Sequence, residues 1–539
     1  MSAKLTLVLV FCIFHGFPCL AQEVDFQSSD LPIVVIDLGG QDIPDEPKVT
    51  AHMGIIYNGE GNRNNLSDPF NEYDGFIGIE LRGTSSLNWP KKPYGIETRD
   101  AEGENNNVSI LGMPKENDWI LYAPYVDKTL MRNVLMYRLA ADLGWYSPRT
   151  QLCELVLNGE YMGVYVFIEK IKKDKNRVNI PNPDSSDITG GYLCEMIVNS
   201  DLEDDETHFR LPQSSKEIVV KYPKPEDITT EQYNYIANYF TEFETVLNSE
   251  SFNDASEGYS KYIDLPSFID HMLLSEGFNQ LDAFSHSVFF YKDKNEKLCM
   301  GPGWDYNRSM GNARYYTSWS PMVWWLREPY GSDPELWYRI NWAKRLMLDP
   351  VFMAAYSKRW YELRQTRFSY DYLYDLIDSY ALVLDEAKTR NFERWQVLGV
   401  LLNNKYVFDT YEEEIDYMKS WIEQKFTWLD EQFSAYYTAT TVLSQVTDSD
   451  DVYDFQSALA YPNPFSSSTT ISFHMRQAGR VRIDIFDLTG RNKATLINDW
   501  RTGGLNEVRF DASQLTSGYY IFTISSEENF ETGKILLLK

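Results

Sequence analysis

Apolar and polar residues alternate along Phe76-Ile-Gly-Ile-Glu-Leu-Arg82, the period of a strand with one buried face. Tyr94-Gly-Ile-Glu-Thr98 repeats the pattern more briefly. Cys153-Glu-Leu-Val-Leu157 and Tyr161-Met-Gly-Val-Tyr-Val-Phe-Ile168 flank Asn158-Gly159, a dipeptide that accepts the positive φ angles of a tight turn, and so predict a hairpin. Between Leu130 and Leu143 the period lengthens. Leu130, Val134, Leu135, Leu139 and Leu143 fall mostly on one helical face. Helical spacing then dominates from Pro266 to Gln280 and from Pro334 to Phe433. The expected body is α+β with a helical C-terminal half.

Past Tyr437 the pattern changes again. Thr438–Asp454 is rich in Thr, Ser and Asp and reads as a linker. Thr470-Ile-Ser-Phe473, Gly479-Arg-Val-Arg-Ile-Asp-Ile-Phe486 and Leu515-Thr-Ser-Gly-Tyr-Tyr-Ile-Phe-Thr523 alternate with period two between Gly-containing turns, which predicts a small all-β sandwich over 455–539. At the opposite end Lys4 precedes a mostly apolar run, Leu5 to Leu20, and a polar segment from Glu23. That is the layout of a secretory signal, with cleavage expected after Ala21. The divisions are then 1–21 signal peptide, 22–437 body, 438–454 linker and 455–539 sandwich. No other window approaches the ~18 consecutive apolar residues of a spanning helix, so no transmembrane segment is expected in the mature protein.

Composition narrows the picture. Hydrophobic residues make up 43% of the 539 and aromatics 15%, enough for several packed cores. A net charge of −29 repels nucleic-acid phosphates, so DNA or RNA is not an expected partner, although local cations can still build a nucleotide site. Of five cysteines, Cys12 and Cys19 lie in the leader; Cys153, Cys194 and Cys299 form no disulfide framework and no zinc spacing. The acidic run Asp201-Leu-Glu-Asp-Asp-Glu206 reads as a solvated loop rather than a calcium site.

Four clusters carry candidate chemistry. Arg82-Gly-Thr-Ser-Ser86 followed by Trp89-Pro-Lys-Lys-Pro-Tyr94 offers backbone N–H groups, the Ser85 and Ser86 hydroxyls and the Lys91 and Lys92 ammonium groups to phosphate. Alone it is equally a solvated basic turn. Asp127 precedes a helix bearing Arg132 and Asn133, and reads as a cap with a structural ion pair. Glu169 ends the hairpin. The fourth cluster holds Asp282-Ala-Phe-Ser-His-Ser287-Val-Phe-Phe-Tyr291 and Gly301-Pro-Gly-Trp-Asp305-Tyr-Asn307. Two short strands joined by a Lys-Asn-Glu-Lys turn would bring Asp282 and Asp305 to one end of a hairpin. A catalytic-loop Asp beside a metal-holding Asp is the protein-kinase arrangement; two carboxylates that cap a turn and a strand end are the plainer reading.

The ordered series Arg82-Gly-Thr-Ser-Ser, Lys91-Lys-Pro-Tyr94, Leu130-Met-Arg-Asn133, Gly163-Val-Tyr165 with Glu169, the Asp282 segment and Trp304-Asp-Tyr-Asn-Arg-Ser-Met-Gly311 resembles the spore-coat CotH kinase family over roughly residues 50 to 430. The resemblance implies an atypical protein-kinase-like body. In it Asp282 accepts the proton of the acceptor hydroxyl, while Asp305, with Ser287 and Asn307, holds Mg²⁺ or Mn²⁺. Lys92 or Lys91 contacts the phosphates of ATP, and Glu169 positions that lysine. Ser287 stands where many members have Asn, Asn307 where they have Asp, and Gly303 where a bulkier residue is expected. The tail, from Tyr461-Pro-Asn-Pro-Phe465 through Asp487-Leu-Thr-Gly-Arg491 and Ser517-Gly-Tyr-Tyr520 to its basic-apolar end, resembles the type A C-terminal sorting domain of the type IX secretion system. This implies a Gram-negative cell, export through the periplasm, engagement of the secretion machinery, and release or surface attachment.

The expected function is a secreted kinase that moves the γ-phosphate of ATP to Ser or Thr of extracellular or surface proteins. The alternative is a kinase-like scaffold, weak or inactive in catalysis, that grips protein or polysaccharide through aromatics such as those from Trp319 to Trp337. A glycan hydrolase needs two carboxylates flanking a cleft, but would leave the Gly-Thr-Ser-Ser and Lys-Lys elements without a role.

Overall fold

The computed structural model describes residues 21–539 except 183–185, 199–200, 204, 316, 328–341, 444–454, 462–464, 476–477, 488–490 and 527–529. The expected signal peptide, most of the linker, Trp337, and parts of the Tyr-Pro-Asn-Pro-Phe and Asp-Leu-Thr-Gly-Arg motifs therefore lie outside the described residues. The chain divides into two units. One runs to Asp349 and resumes over Arg359–Glu431; the other joins Pro350–Lys358 to Gln432–Lys539.

The first unit opens with a closed barrel of seven strands: Ile33–Asp37, Val49–Ile56, Tyr73–Leu81, Tyr94–Arg99, Asp118–Tyr122, Thr150–Leu157 and Glu160–Glu169. Neighbours pair antiparallel except at the closure, where Ile33–Ile36 runs parallel to Glu154–Leu157. Alternate residues such as Ile77, Ile79, Ile96, Leu121, Leu155 and Phe167 point inward to one core, while Phe76 faces out. The expected Asn158-Gly159 hairpin is present, both residues at positive φ.

After the barrel's fifth strand comes helix α1 (Arg132–Asp142). Asp127 secures its start: Oδ2 accepts the Arg132 N–H at 2.8 Å, and Oδ1 pairs with Arg132 Nη1 at 2.6 Å, both residues buried. A second, antiparallel sheet takes the order His208–Arg210, Glu217–Tyr222, Tyr192–Ile197, Val288–Lys292, Leu298–Met300. Helices α2 (Thr230–Asn248) and α3 (Leu265–Gly277) pack on it, with Phe240 and Phe268 rings 5.6 and 6.3 Å from Phe290. Both starts are capped: Thr229 and Gln232 form a reciprocal capping box, and Asp264 accepts the Ser267 N–H. Next come α4 (Trp342–Leu346), α5 (Pro350–Arg364), α6 (Tyr370–Val383), α7 (Asp385–Arg394) and α8 (Tyr411–Leu443), so the C-terminal half is helical. α8 continues to Leu443, so the first residues of the expected linker are helical.

In the second unit, strands Phe455–Tyr461, Ser468–Met475 and Gly504–Asp511 form one sheet. Asn492–Arg501, Gly479–Asp487, Gly518–Ser525 and Phe530–Leu537 form the other. Ile471, Phe473, Ile483, Ile485, Phe510 and Phe522 fill one core between them, the expected sandwich. Cys153, Cys194 and Cys299 are free thiols. Among the described residues no helix is long and apolar enough to cross a membrane.

Candidate active site

Strands Val288–Lys292 and Leu298–Met300 pair antiparallel, with Phe290 opposite Met300. The loop before the first strand carries Asp282 and the segment after the second carries Asp305. The Asp282 loop turns sharply as it leaves α3. Asn279, Phe284 and Ser287 all have positive φ, and the Ser285 and His286 N–H groups close back on the Asp282 carbonyl at 2.9 and 3.2 Å. Asp305 is itself at φ 55°. Left-handed residues other than glycine cost energy, and their concentration at these two loops marks a place whose geometry the surrounding packing dictates.

Side chains from the Asp282 loop and from α1 hold the Asp305 segment in place. Gln280 Nε2 donates to the Trp304 carbonyl at 2.6 Å, while its Oε1 accepts the Ser275 hydroxyl at 2.8 Å. From α1, Asn133 Oδ1 accepts the Tyr306 N–H at 2.7 Å and the Tyr137 hydroxyl accepts the Asp305 N–H at 3.3 Å. Asn133 and Tyr137 are four residues apart, hence on one face of the helix. The Tyr137 ring also stacks on Trp304 at 5.6 Å. Arg132 Nε holds the Ser309 carbonyl at 3.1 Å, and Asn312 Nδ2 bonds the Asn307 carbonyl at 2.8 Å. Gly303 has a steric cause: a Cβ there would lie 2.5 Å from the Tyr306 hydroxyl.

Electrostatics single out the two acids. Asp305 is pushed up to about 6, first by burial and then by the Asp282 charge, against the pull of Arg308, His286 and the Asn307 N–H. His286 Nε2 lies 2.9 Å from Asp282 Oδ1. Burial alone would lower the His286 pKa, but the carboxylates of Asp282, Asp305 and Asp201 outweigh it and the value is raised. The acidic run thus reaches this site through Asp201, while its Glu206 pairs with Lys221 at 2.6 Å. Buried Asp282 and half-buried Asp305, with the Ser287 hydroxyl and the Asn307 amide oxygen nearby in sequence, suit Mg²⁺, which takes one or two protein carboxylates and completes its shell with water and phosphate oxygens. Among the described residues, no three His, Cys, Asp or Glu side chains form an all-protein cage.

The basic cluster sits differently from expectation. Lys91 is buried, its ammonium bonded to the Val164 carbonyl at 2.5 Å and Asn391 Oδ1 at 2.7 Å, and burial drives its pKa well below the usual lysine value. It braces α7 against the last barrel strand instead of facing a ligand. Lys92 Nζ donates to the Leu87 carbonyl and so braces the turn over Ser85–Asn88, in which Ser85 is exposed and the Ser86 hydroxyl bonds the Arg82 carbonyl at 3.3 Å. Glu169 pairs with neither lysine. Its buried carboxylate takes Arg149 Nη1 and N–H at 2.8 and 3.0 Å and faces Arg177 at 3.7 Å. The Arg82 guanidinium lies 6.0 Å from the Trp304 indole, and Arg308 is the cation whose charge pulls on Asp305. Sequence reasoning missed the roles of Gln280, Tyr137 and His286, and named Asn133 without its contact to Tyr306. Asn133 and His286 lie inside motifs already singled out, and Tyr137 stands one turn after Asn133 on the same helix face.

Within the aromatic stretch Trp324 and Trp325 are buried, with the Trp325 backbone N–H on Glu276 Oε1 at 2.8 Å, so these two rings pack in the core; Trp319 is half-buried, and Trp337 lies outside the described residues.

The family model for CotH kinase protein matches residues 79–429, from the end of the barrel's third strand through the second sheet and into the last helix. The chain belongs to the CotH kinase family. A secretion system C-terminal sorting domain matches residues 459–538, the sandwich, and marks this CotH-family protein for type IX export to the cell surface or beyond. No curated protein matches the chain.

Proposed function

We propose that this CotH-family protein is an exported protein kinase that transfers the γ-phosphate of ATP to Ser or Thr hydroxyls of extracellular or surface proteins. The observation that carries this reading is the convergence of Asp282 and Asp305 at one hairpin end, close enough that the charge of one helps push the other up to about 6. Two neighbouring acids, one with its proton affinity raised, are the arrangement that divides a base from a metal ligand. Asp282 orients the acceptor hydroxyl and takes its proton. Asp305 holds the divalent cation, with oxygens from Ser287 and Asn307 and the nucleotide phosphates. Bound there, Mg²⁺ or Mn²⁺ neutralises the charge of the transferring phosphoryl group. Arg308, whose charge pulls on Asp305, and Arg82, beside Trp304, supply positive charge there; Lys91 does not.

A second reading, an exported scaffold that binds partners without transferring phosphate, draws on one feature: the expected lysine–glutamate pair is absent, Glu169 being held by arginines. The two readings part on nucleotide binding. Thermal melting of the mature chain with ATP, with Mg²⁺ and with both separates them. A stabilisation that needs both and disappears in Asp305→Ala supports the kinase; indifference to all three supports the scaffold.

A further inference from the structure

We propose that His286 is the positioning residue that keeps Asp282 a base and withholds it from the metal; this rests on the kinase reading above. Asp282 and Asp305 are near neighbours, and a divalent cation on Asp305 attracts any carboxylate able to swing toward it. Chain geometry supplies a restraint. The single turn Asp282–His286, closed by the Ser285 and His286 N–H groups on the Asp282 carbonyl, carries the imidazole back over the carboxylate. Nε2 then lies 2.9 Å from Oδ1. A carboxylate only accepts, so Nε2–H is the donor.

The ring is held in turn. Its Nδ1 is 3.2 Å from the Ser285 hydroxyl, and the Ser285 carbonyl takes the buried Lys216 ammonium at 3.0 Å. The Asp282 side chain is 12% exposed and that of His286 33%, so the histidine stands on the solvent side of the acid. What it sets is direction: with Oδ1 engaged, the carboxyl plane cannot turn freely, and the carboxylate stays aimed at the acceptor side. His286 belongs to the same short loop as Ser287, so metal, base and restraint are spaced within six residues.

The test is steady-state phosphate transfer by the mature chain, comparing wild type, His286→Ala, His286→Gln and Asp282→Ala, each with its melting temperature. The expected result is a kcat loss on the order of 10- to 100-fold in His286→Ala with KM for ATP unchanged, the cost of a loosened catalytic group. His286→Gln, whose amide nitrogen reaches a similar point, recovers most of it. Should the alanine variant fail to fold, His286→Leu keeps the volume without a donor and takes its place. Wild-type kcat in the alanine or leucine variant, or a glutamine variant no better than these, overturns the positioning role while leaving the kinase reading intact. A wild type that transfers no phosphate removes the kinase reading itself, and the role with it, before any variant is compared.

Discussion

Lys91 Nζ lies 2.7 Å from Asn391 Oδ1, both residues buried, and joins the barrel to α7. Asn391 Oδ1 also accepts the Val164 N–H at 3.1 Å. At Gly163, φ is 88° and a Cβ would meet Asn391 Oδ1 at 2.6 Å, so the strand can approach the helix only as glycine. The junction depends on the ammonium as a donor to two oxygens.

Lys91→Met is accordingly expected to lower stability by about 1–3 kcal/mol, since the Val164 carbonyl and Asn391 Oδ1 each lose a buried donor. Binding of Mg²⁺ and ATP by the folded fraction stays unchanged. Denaturant unfolding and a nucleotide titration on the same sample read both quantities. A phosphate-binding lysine would give the opposite pattern.

Glu276 and Lys425 form a fully buried ion pair at 2.7 Å, and Glu276 also accepts the Trp325 and Leu326 N–H groups. Removing one partner strands the other charge. Lys425→Met should cost about 3–5 kcal/mol, and adding Glu276→Gln should recover part of that loss. Chemical denaturation of the single and double variants checks the coupling. Because Glu276 sits near the end of α3, the single variant also loosens the helix that delivers Asp282.

Gly303→Ala places a methyl group against the Tyr306 hydroxyl and ring. Overpacking of this kind costs about 1–3 kcal/mol, and Tyr306→Phe added to it relieves part of the strain. Melting curves of the two variants provide the comparison.

Asp305 gives a pH dependence whose sign follows from its raised value. Below about pH 4 the acid is protonated in both folded and unfolded chains and contributes nothing differential. Between about pH 4 and pH 6 the folded chain keeps a proton that the unfolded chain has released, so stability falls as pH rises through that window and stays lower above it. The loss is on the order of 2–3 kcal/mol. In chelator, Asp305→Asn should therefore melt higher than wild type at pH 7 and converge with it near pH 4. Mg²⁺ should stabilise wild type and leave the variant unmoved. Melting temperatures across that range, with and without the metal, test both statements.

Local pattern made much of this legible. Strands around Ile77 and Ile96, the Asn158-Gly159 hairpin, α1 and the tail sandwich all follow from side-chain period and turn chemistry. Asp282 and Asp305 could be singled out because each borders a short apolar strand. Barrel closure could not, since pairing Ile33 with Glu154 joins strands far apart in sequence, and side-chain alternation names no partner. α2 went unread although Thr229 and Gln232 form its capping box. Lys91 and Lys92 look alike in sequence; only packing shows that one is buried under α7. The resemblance pairs Glu169 with a lysine, whereas its partners, Arg149 and Arg177, come from segments that nothing local in the sequence links to it.

The most direct test of the central claim is transfer of labelled γ-phosphate from ATP by the purified mature chain, to itself or a generic acidic protein substrate, with Mg²⁺ or Mn²⁺. Asp282→Ala and Asp305→Ala are measured beside it. The account predicts metal-dependent labelling of Ser or Thr in wild type and its loss in both variants, with the folded state of each confirmed by melting. Labelling that survives either substitution, or none in wild type with either metal, would contradict it.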